Sequence, residues 1–194
     1  MKHAVILAHP NPKSFNATIA KAYCKAAIAR GHESRLRDLY AMDFDPRLKA
    51  SEIPGPKGFT PGKDVQAERK FLQLADVFVF VYPFWINAAP AIMKGYMERV
   101  FGMGFAYKPG KGGIEPMLTG KKMISFTSSG APIEWVKKTG AWDAARKLFD
   151  EHASAIAGLK VVDHIHFGDV IPGMRADAVE RCVGMVQKTV AKHF

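Results

Sequence analysis

The 194-residue chain carries 28 Lys and Arg against 18 Asp and Glu, a net charge of +10, and is 48% hydrophobic. At ~150 residues per domain that suggests a single domain over 1–194 with its own core, and it excludes disordered and fibrous chains. No apolar run approaches the roughly 20 residues of a bilayer crossing, because His9, Pro10 and Asn11 break the first run and Pro83 the strongest.

Apolar runs and helical patterns alternate along the chain. Ala4–Ala8 reads as a central strand, followed by a helix over Phe15–Arg30 and a weaker, alternating strand over Ser34–Leu39 that belongs at an edge. A long loop, Asp43–Lys63, holds four Pro; a helix over Val65–Ala75 and a second central strand, Val77–Tyr82, come next. Pro90 suits the first turn of a helix over Pro90–Phe101. Gly102–Gly120, with six Gly and two Pro, reads as another long loop. Strands over Met123–Phe126 and Val161–Phe167 bracket a helix over Trp142–Ala157, and the amphipathic helix Ala176–His193 closes the chain. Five strands alternating with five helices give an α/β, doubly wound parallel sheet, for which 2-1-3-4-5 is the common order; ligands then bind beyond the carboxyl ends of the first, third and fourth strands.

Cys24 and Cys182 lie far apart in helical patterns without a CxxC partner and read as core thiols. The basic excess is spread along the chain, so it reads as a solvated surface rather than a nucleic-acid face. The start of the chain has only a six-residue apolar core, too short for a signal peptide, so a cytoplasmic location is expected. His164 and His166 share one face of the last strand; without a third ligand nearby they read as packing or surface histidines rather than a metal pair. Met93 and Met97 read as core packing.

No GxGxxG comes after the first strand, and the Gly-Lys pairs ending at Lys63, Lys111 and Lys121 lack the adjoining Ser or Thr of a nucleotide-triphosphate loop. The first strand leads instead into His9-Pro10-Asn11-Pro12-Lys13-Ser14-Phe15-Asn16, which runs straight into a helix whose first-turn amides and dipole favour an anion. Ser14 acting only as a helix cap is the alternative. After the third strand comes the aromatic loop Pro83-Phe84-Trp85-Ile86-Asn87, suited to a flat heteroaromatic ring, and after the fourth the small polar loop Thr127-Ser128-Ser129-Gly130. Three such loops at successive strand ends favour a ligand site over three unrelated turns.

On AHPNPKSFN (8–16), DLYAMDFDP (38–46), PAIMKGYMERVF (90–101) and GFAY (104–107), the chain resembles the flavodoxin-like NAD(P)H:quinone oxidoreductase family, which includes DT-diaphorase. The resemblance implies a flavodoxin-like fold, a flavin (FAD, or FMN as in some bacterial relatives), NAD(P)H as co-substrate, quinones or similar aromatic acceptors, and a homodimer. It places His9, Ser14, Phe15 and Asn16 at the pyrophosphate and ribityl chain, Pro83, Phe84, Trp85, Ile86 and Asn87 at the ring, and Thr127, Ser128, Ser129 and Gly130 at a second ring edge. It also implies that Tyr107 lines the substrate pocket of the partner subunit and that Trp135 stands where a tyrosine near the flavin is common. Thr-Ser-Ser-Gly stands for the usual Thr-Thr-Gly-Gly, and a histidine found in some relatives is Ala141 here. A second implied role is a flavin-bearing regulatory subunit of a bacterial potassium efflux system, with a membrane transporter as partner.

Overall fold

The computed structural model describes residues 1–56 and 58–194; Lys57, within the expected loop Asp43–Lys63, lies outside them. Five parallel strands form one sheet: β1 (Lys2–Leu7), β2 (Glu33–Asp38), β3 (Val77–Pro83), β6 (Lys122–Ser128) and β7 (Lys160–Phe167), in the order β2-β1-β3-β6-β7. This is the expected doubly wound order, with the alternating strand at an edge. Every residue of β3 is buried, as a central strand covered on both faces must be.

One face packs Ala4, Ile6, Phe78, Phe80, Tyr82 and Met123 against helices α2 (Lys63–Leu72) and α3 (Ala91–Val100). The other packs Val5, Leu7, Val79, Val81, Ile124 and Phe126 against α1 (Phe15–Ala29) and α7 (Ala176–His193). Met93 is fully buried in the first layer, where Met97 packs at its edge. Cys24 and Cys182 are half-buried rather than core, because they sit at the margins of the faces that α1 and α7 turn to the sheet. Among the described residues no helix is long and apolar enough to cross a membrane.

Two segments depart from the sequence-based expectation. Within Gly102–Gly120 the chain forms an antiparallel hairpin of β4 (Tyr107–Gly110) and β5 (Gly113–Pro116). Its Pro- and Gly-rich strands, mostly exposed, carry no apolar alternation by which to be recognised. The helix expected over Trp142–Ala157 is instead α5 (Ala141–Ala145), a π-helical stretch (Arg146–Ala153) and α6 (Ser154–Ala157), preceded by an unforeseen short α4 (Ile133–Lys138).

The loop Asp43–Lys63 is anchored to α3 rather than free. Phe44 packs edge-on to Tyr96, and the fully buried Arg99 guanidinium donates to Glu52 at 2.7 and 2.8 Å, to Asp64 at 2.7 Å and to the Asp45 carbonyl. Gly95, one turn before Arg99, has no side chain because the Pro46 backbone passes where a Cβ would stand. The two segments 38–46 and 90–101 are therefore two sides of one contact.

In β7 the pairing slips by one residue between Met123 and Ile124: Val161 faces Met123 but Asp163 faces Ile124, leaving Val162 as the extra residue of a bulge. Because side chains alternate faces, that one residue inverts the phase of the rest of the strand and turns His164 and His166 to the face of Ser125 and Thr127.

Candidate active site

The mouths of β1, β3 and β6 lie side by side and are tied through the main chain: Ala8 N–H donates to the Val81 carbonyl at 3.0 Å, Phe84 N–H to Ser128 at 2.6 Å and Ser129 N–H to Phe167 at 2.9 Å. The loops leaving them form one crevice. At its first wall Ser14 caps α1, its Oγ accepting from Ala17 N–H at 3.1 Å, so the capping reading holds; its hydroxyl hydrogen is still free to donate. The free first-turn amides and the helix dipole remain available to an anion, with exposed Lys13 beside them. His9 accepts the Asn11 amide on Nδ1 at 3.0 Å, and burial pushes its pKa below the ordinary value. The ring is neutral at pH 7 and its remaining donor is Nε2–H.

The second wall is a tight turn. Trp85 and Ala88 exchange amide hydrogen bonds at 3.0 and 3.2 Å, so Ile86 and Asn87 form a two-residue loop with φ of +52° and +56°. Such a turn demands positive φ at both positions, which Asn tolerates and a β-branched residue does not. Ile86 is also 99% exposed. A strained, fully exposed isoleucine gains nothing for the isolated fold, and backbone strain of this kind collects at binding sites. Ile86→Gly is therefore expected to raise stability by about 1 kcal/mol, read as a Tm increase of roughly 3 °C by calorimetry.

Trp85 is 44% exposed, its ring 5.5 Å from that of His9, whereas Phe84 is buried against His166 at 4.9 Å. Trp85 is thus the exposed aromatic side chain of this loop, and Phe84 the buried one. Ser128 is buried and donates to Asn16 Oδ1 at 3.1 Å, bracing the third wall against the first; Phe15 packs edge-on to Phe167. Gly130 is exposed, and a Cβ there would meet no atom nearer than the Val170 carbonyl at 3.9 Å, so the chain's own packing does not require a glycine.

Thr127 points away from the crevice: its Oγ1 contacts His164 Nε2 at 2.8 Å and His166 Nδ1 at 2.9 Å. His164, its partner Asp150, and His166 were not among the expected site residues. The HxH spacing was visible, but Asp150 and Trp142, which cover the pair, gave no signal. Their ring nitrogens are taken by Asp150, Thr127 and Ser129, and among the described residues no group of three or more His, Cys, Asp or Glu is arranged to hold a metal. Trp135, on α4, is 48% exposed. Tyr107 is not brought to the crevice within one chain: it lines a cavity of about 450 Å³ under loop 43–63 with Arg69, Met97 and Phe101.

The chain matches Flavodoxin_2, described as a flavodoxin-like fold, over residues 1–190. It is 33% identical over 171 residues to an uncharacterized NAD(P)H oxidoreductase of Haemophilus influenzae, covering 88% of this chain and 85% of that one. A ribosyldihydronicotinamide dehydrogenase [quinone] of Pongo abelii is 31% identical over 156 residues, 72% of this chain and 68% of that one. Among solved structures, an NAD(P)H:quinone oxidoreductase from Methanothermobacter marburgensis superposes with a TM-score of 0.89 at 26% identity, covering 98% of this chain and 97% of that one.

Proposed function

The chain belongs to the Flavodoxin_2 family, and from that premise we propose that it is a flavin-dependent NAD(P)H:quinone oxidoreductase, transferring two electrons as hydride from NAD(P)H to a quinone or similar aromatic acceptor. The observation that carries this reading is the convergence of an anion-ready helix start, an exposed tryptophan on a strained turn and a small polar loop at three adjacent strand mouths. The relatives in Haemophilus influenzae and Pongo abelii, one an NAD(P)H oxidoreductase and the other a quinone-linked dehydrogenase, support the reaction class.

The residues present fit a flavin. Gly130 leaves space that the chain itself does not use, and the anion-binding start of α1 sits beside an aromatic wall. When bound, a flavin supplies a ring that accepts hydride and passes both electrons on. The protein's part is to bind and orient. The first-turn amides of α1 with His9, Lys13, Ser14, Phe15 and Asn16 hold the phosphate end; Pro83 to Asn87 give the ring a wall at Trp85; and the backbone of Ser128 to Gly130 offers donors where charge develops. Thr127 acts from beneath through its histidine contacts. Trp135 and Tyr107 wall the acceptor pocket, Tyr107 from the second subunit of a homodimer in which each 194-residue chain is one domain. FAD is the cofactor we favour, with FMN the alternative.

The full chain is expected to purify yellow, to release a single flavin that chromatography identifies, and to oxidise NAD(P)H with quinones giving parallel double-reciprocal lines, since nicotinamide and acceptor use the same face in turn. A colourless protein that takes up neither FAD nor FMN overturns the assignment.

A further inference from the structure

Beneath the crevice a continuous chain of short polar contacts crosses from the π-helical stretch to the β6 loop. Asp150 Oδ2 lies 2.7 Å from His164 Nδ1, and His164 Nε2 lies 2.8 Å from Thr127 Oγ1. Thr127 Oγ1 is 2.9 Å from His166 Nδ1, His166 Nε2 is 2.9 Å from Ser129 Oγ, and Ser129 Oγ is 2.7 Å from the Ala131 carbonyl. The side chains of Asp150 and His164 are 4% and 2% exposed; Thr127 is fully buried. Trp142 and Phe84 shield the two imidazoles from above.

Counting hydrogens decides the state of this chain. Both ends, the Asp150 carboxylate and the Ala131 carbonyl, only accept. Between them stand two imidazoles and two hydroxyls, which in neutral form carry one hydrogen each on the interacting atoms: four hydrogens for the five contacts. One contact would then set two lone pairs against each other in a buried site, which is costly. A fifth proton satisfies all five. We propose that the Asp150–His164 pair holds this fifth proton and that the chain delivers it to the crevice at Ser129.

The groups facing the pair are consistent with its location there. From the π stretch come Asp150 and, 3.8 Å from its carboxylate, the half-exposed Arg146; from β6, Ser125 and Thr127; from β3, Tyr82, and from the loop after it, Phe84; from α5, Trp142; from β7, His166. Asp163 lies on the opposite face with His193 and Lys192 of α7. Burial, with the neighbouring His164 adding to it, holds His166 down to about 4, so the proton does not rest on that ring. Asp150 Oδ1 is buried without a hydrogen-bond partner, which leaves the carboxylate in need of the positive charge beside it.

Delivery needs no side chain to travel. Ser129 gives its hydroxyl hydrogen to an acceptor in the crevice and takes one from His166 Nε2; His166 Nδ1 takes one from Thr127, and Thr127 takes one from His164 Nε2. His164 is left neutral, its Nδ1–H still donating to Asp150; each hydroxyl keeps one hydrogen, His166 has exchanged its Nε2 hydrogen for one on Nδ1, and the net loss is the single proton that left His164 Nε2. A cavity of about 400 Å³ lined by Trp142, Arg146, Asp150, Glu151 and His164 gives solvent access for reloading. Delivery rests on the oxidoreductase reading, in which NAD(P)H, a proton and a quinone yield NAD(P)⁺ and a hydroquinone, so that one proton is consumed beyond the hydride. Holding the proton does not rest on it.

The test is nitrogen-15 NMR of histidine-labelled full chain at pH 7. One imidazole, assigned by its loss in His164→Gln, is expected to carry hydrogens on both ring nitrogens, and Asp150→Asn should abolish that signature while His166 stays neutral. A wild-type spectrum with His164 singly protonated and no proton on Asp150 overturns the proposal without recourse to any variant. In the flavin-loaded enzyme, Asp150→Asn and Thr127→Val should each slow acceptor reduction by roughly 10–100-fold above pH 7, with the loss recovered at acid pH and, in Asp150→Asn, flavin reduction by NAD(P)H unchanged. Unaltered pH profiles in both variants also overturn it. Failure to bind flavin, with the doubly protonated ring present, sinks the oxidoreductase reading and leaves the stored proton standing.

Discussion

Replacing Arg99 by methionine is expected to lower the unfolding free energy by about 3–5 kcal/mol, the usual cost of removing one partner from a buried ion pair. Arg99 is the fully buried hub of Glu52, Asp64 and the Asp45 carbonyl, and its loss leaves Glu52 both charged and enclosed. Exposed pairs such as Lys147–Glu151 are different: they hold their charges in water, and removing one is worth about 0–1 kcal/mol at most. The pH dependence carries the same signature. Arg99 hydrogen bonds hold Glu52 at about 2, below its ordinary value, so in the wild type this contribution is present above the unfolded carboxylate range and is lost as pH falls toward 2. In Arg99→Met the unpaired Glu52 prefers to be protonated, so the urea midpoint should rise, not fall, on mild acidification. A midpoint within experimental error of wild type at pH 7 would mean that Arg99 does not hold loop 43–63.

The second large effect comes one helical turn earlier. A Cβ at Gly95 would stand 2.1 Å from the Pro46 carbonyl oxygen and 2.7 Å from its Cα, both backbone atoms that cannot swing aside. Gly95→Ala gains about 1 kcal/mol of helix propensity and loses more to overpacking, for a net destabilisation of about 2 kcal/mol. Gly184, on α7, has no atom within 4 Å of its would-be Cβ, so Gly184→Ala is the matched control and should stabilise by about 1 kcal/mol. Chemical denaturation of the two variants side by side separates the close approach from helix propensity. Equal shifts in both would mean that α3 yields to Pro46 without resistance.

Much of the architecture was readable because burial on both faces writes itself into β1 and β3 as unbroken apolar runs. The edge position of β2 came from its alternation. The crevice was readable for a related reason: in a doubly wound sheet the loops after the first, third and fourth strands must converge, so their composition can be judged together. Three things were not legible. The 107–116 hairpin carries Pro and Gly where strands carry β-branched residues. The π-helical stretch has no distinct periodicity to separate it from an ordinary helix. The direction in which Thr127, His164 and His166 point depends on the bulge at Val162, and a single inserted residue in a run of valines leaves no trace in the chain. Sequence inspection could pair His164 with His166, but only the slipped register turns them toward Thr127 and Asp150.

The main-chain hydrogen bonds that join Ala8 to Val81, Phe84 to Ser128 and Ser129 to Phe167 extend the ladder of the sheet into the floor of the crevice. Those three walls cannot part without tearing the strands themselves. Under the proposed function a flavin meets walls that are joined before it arrives, with the bent-back tip at Ile86 and Asn87 on their rim and only the acceptor side left for the second subunit to close.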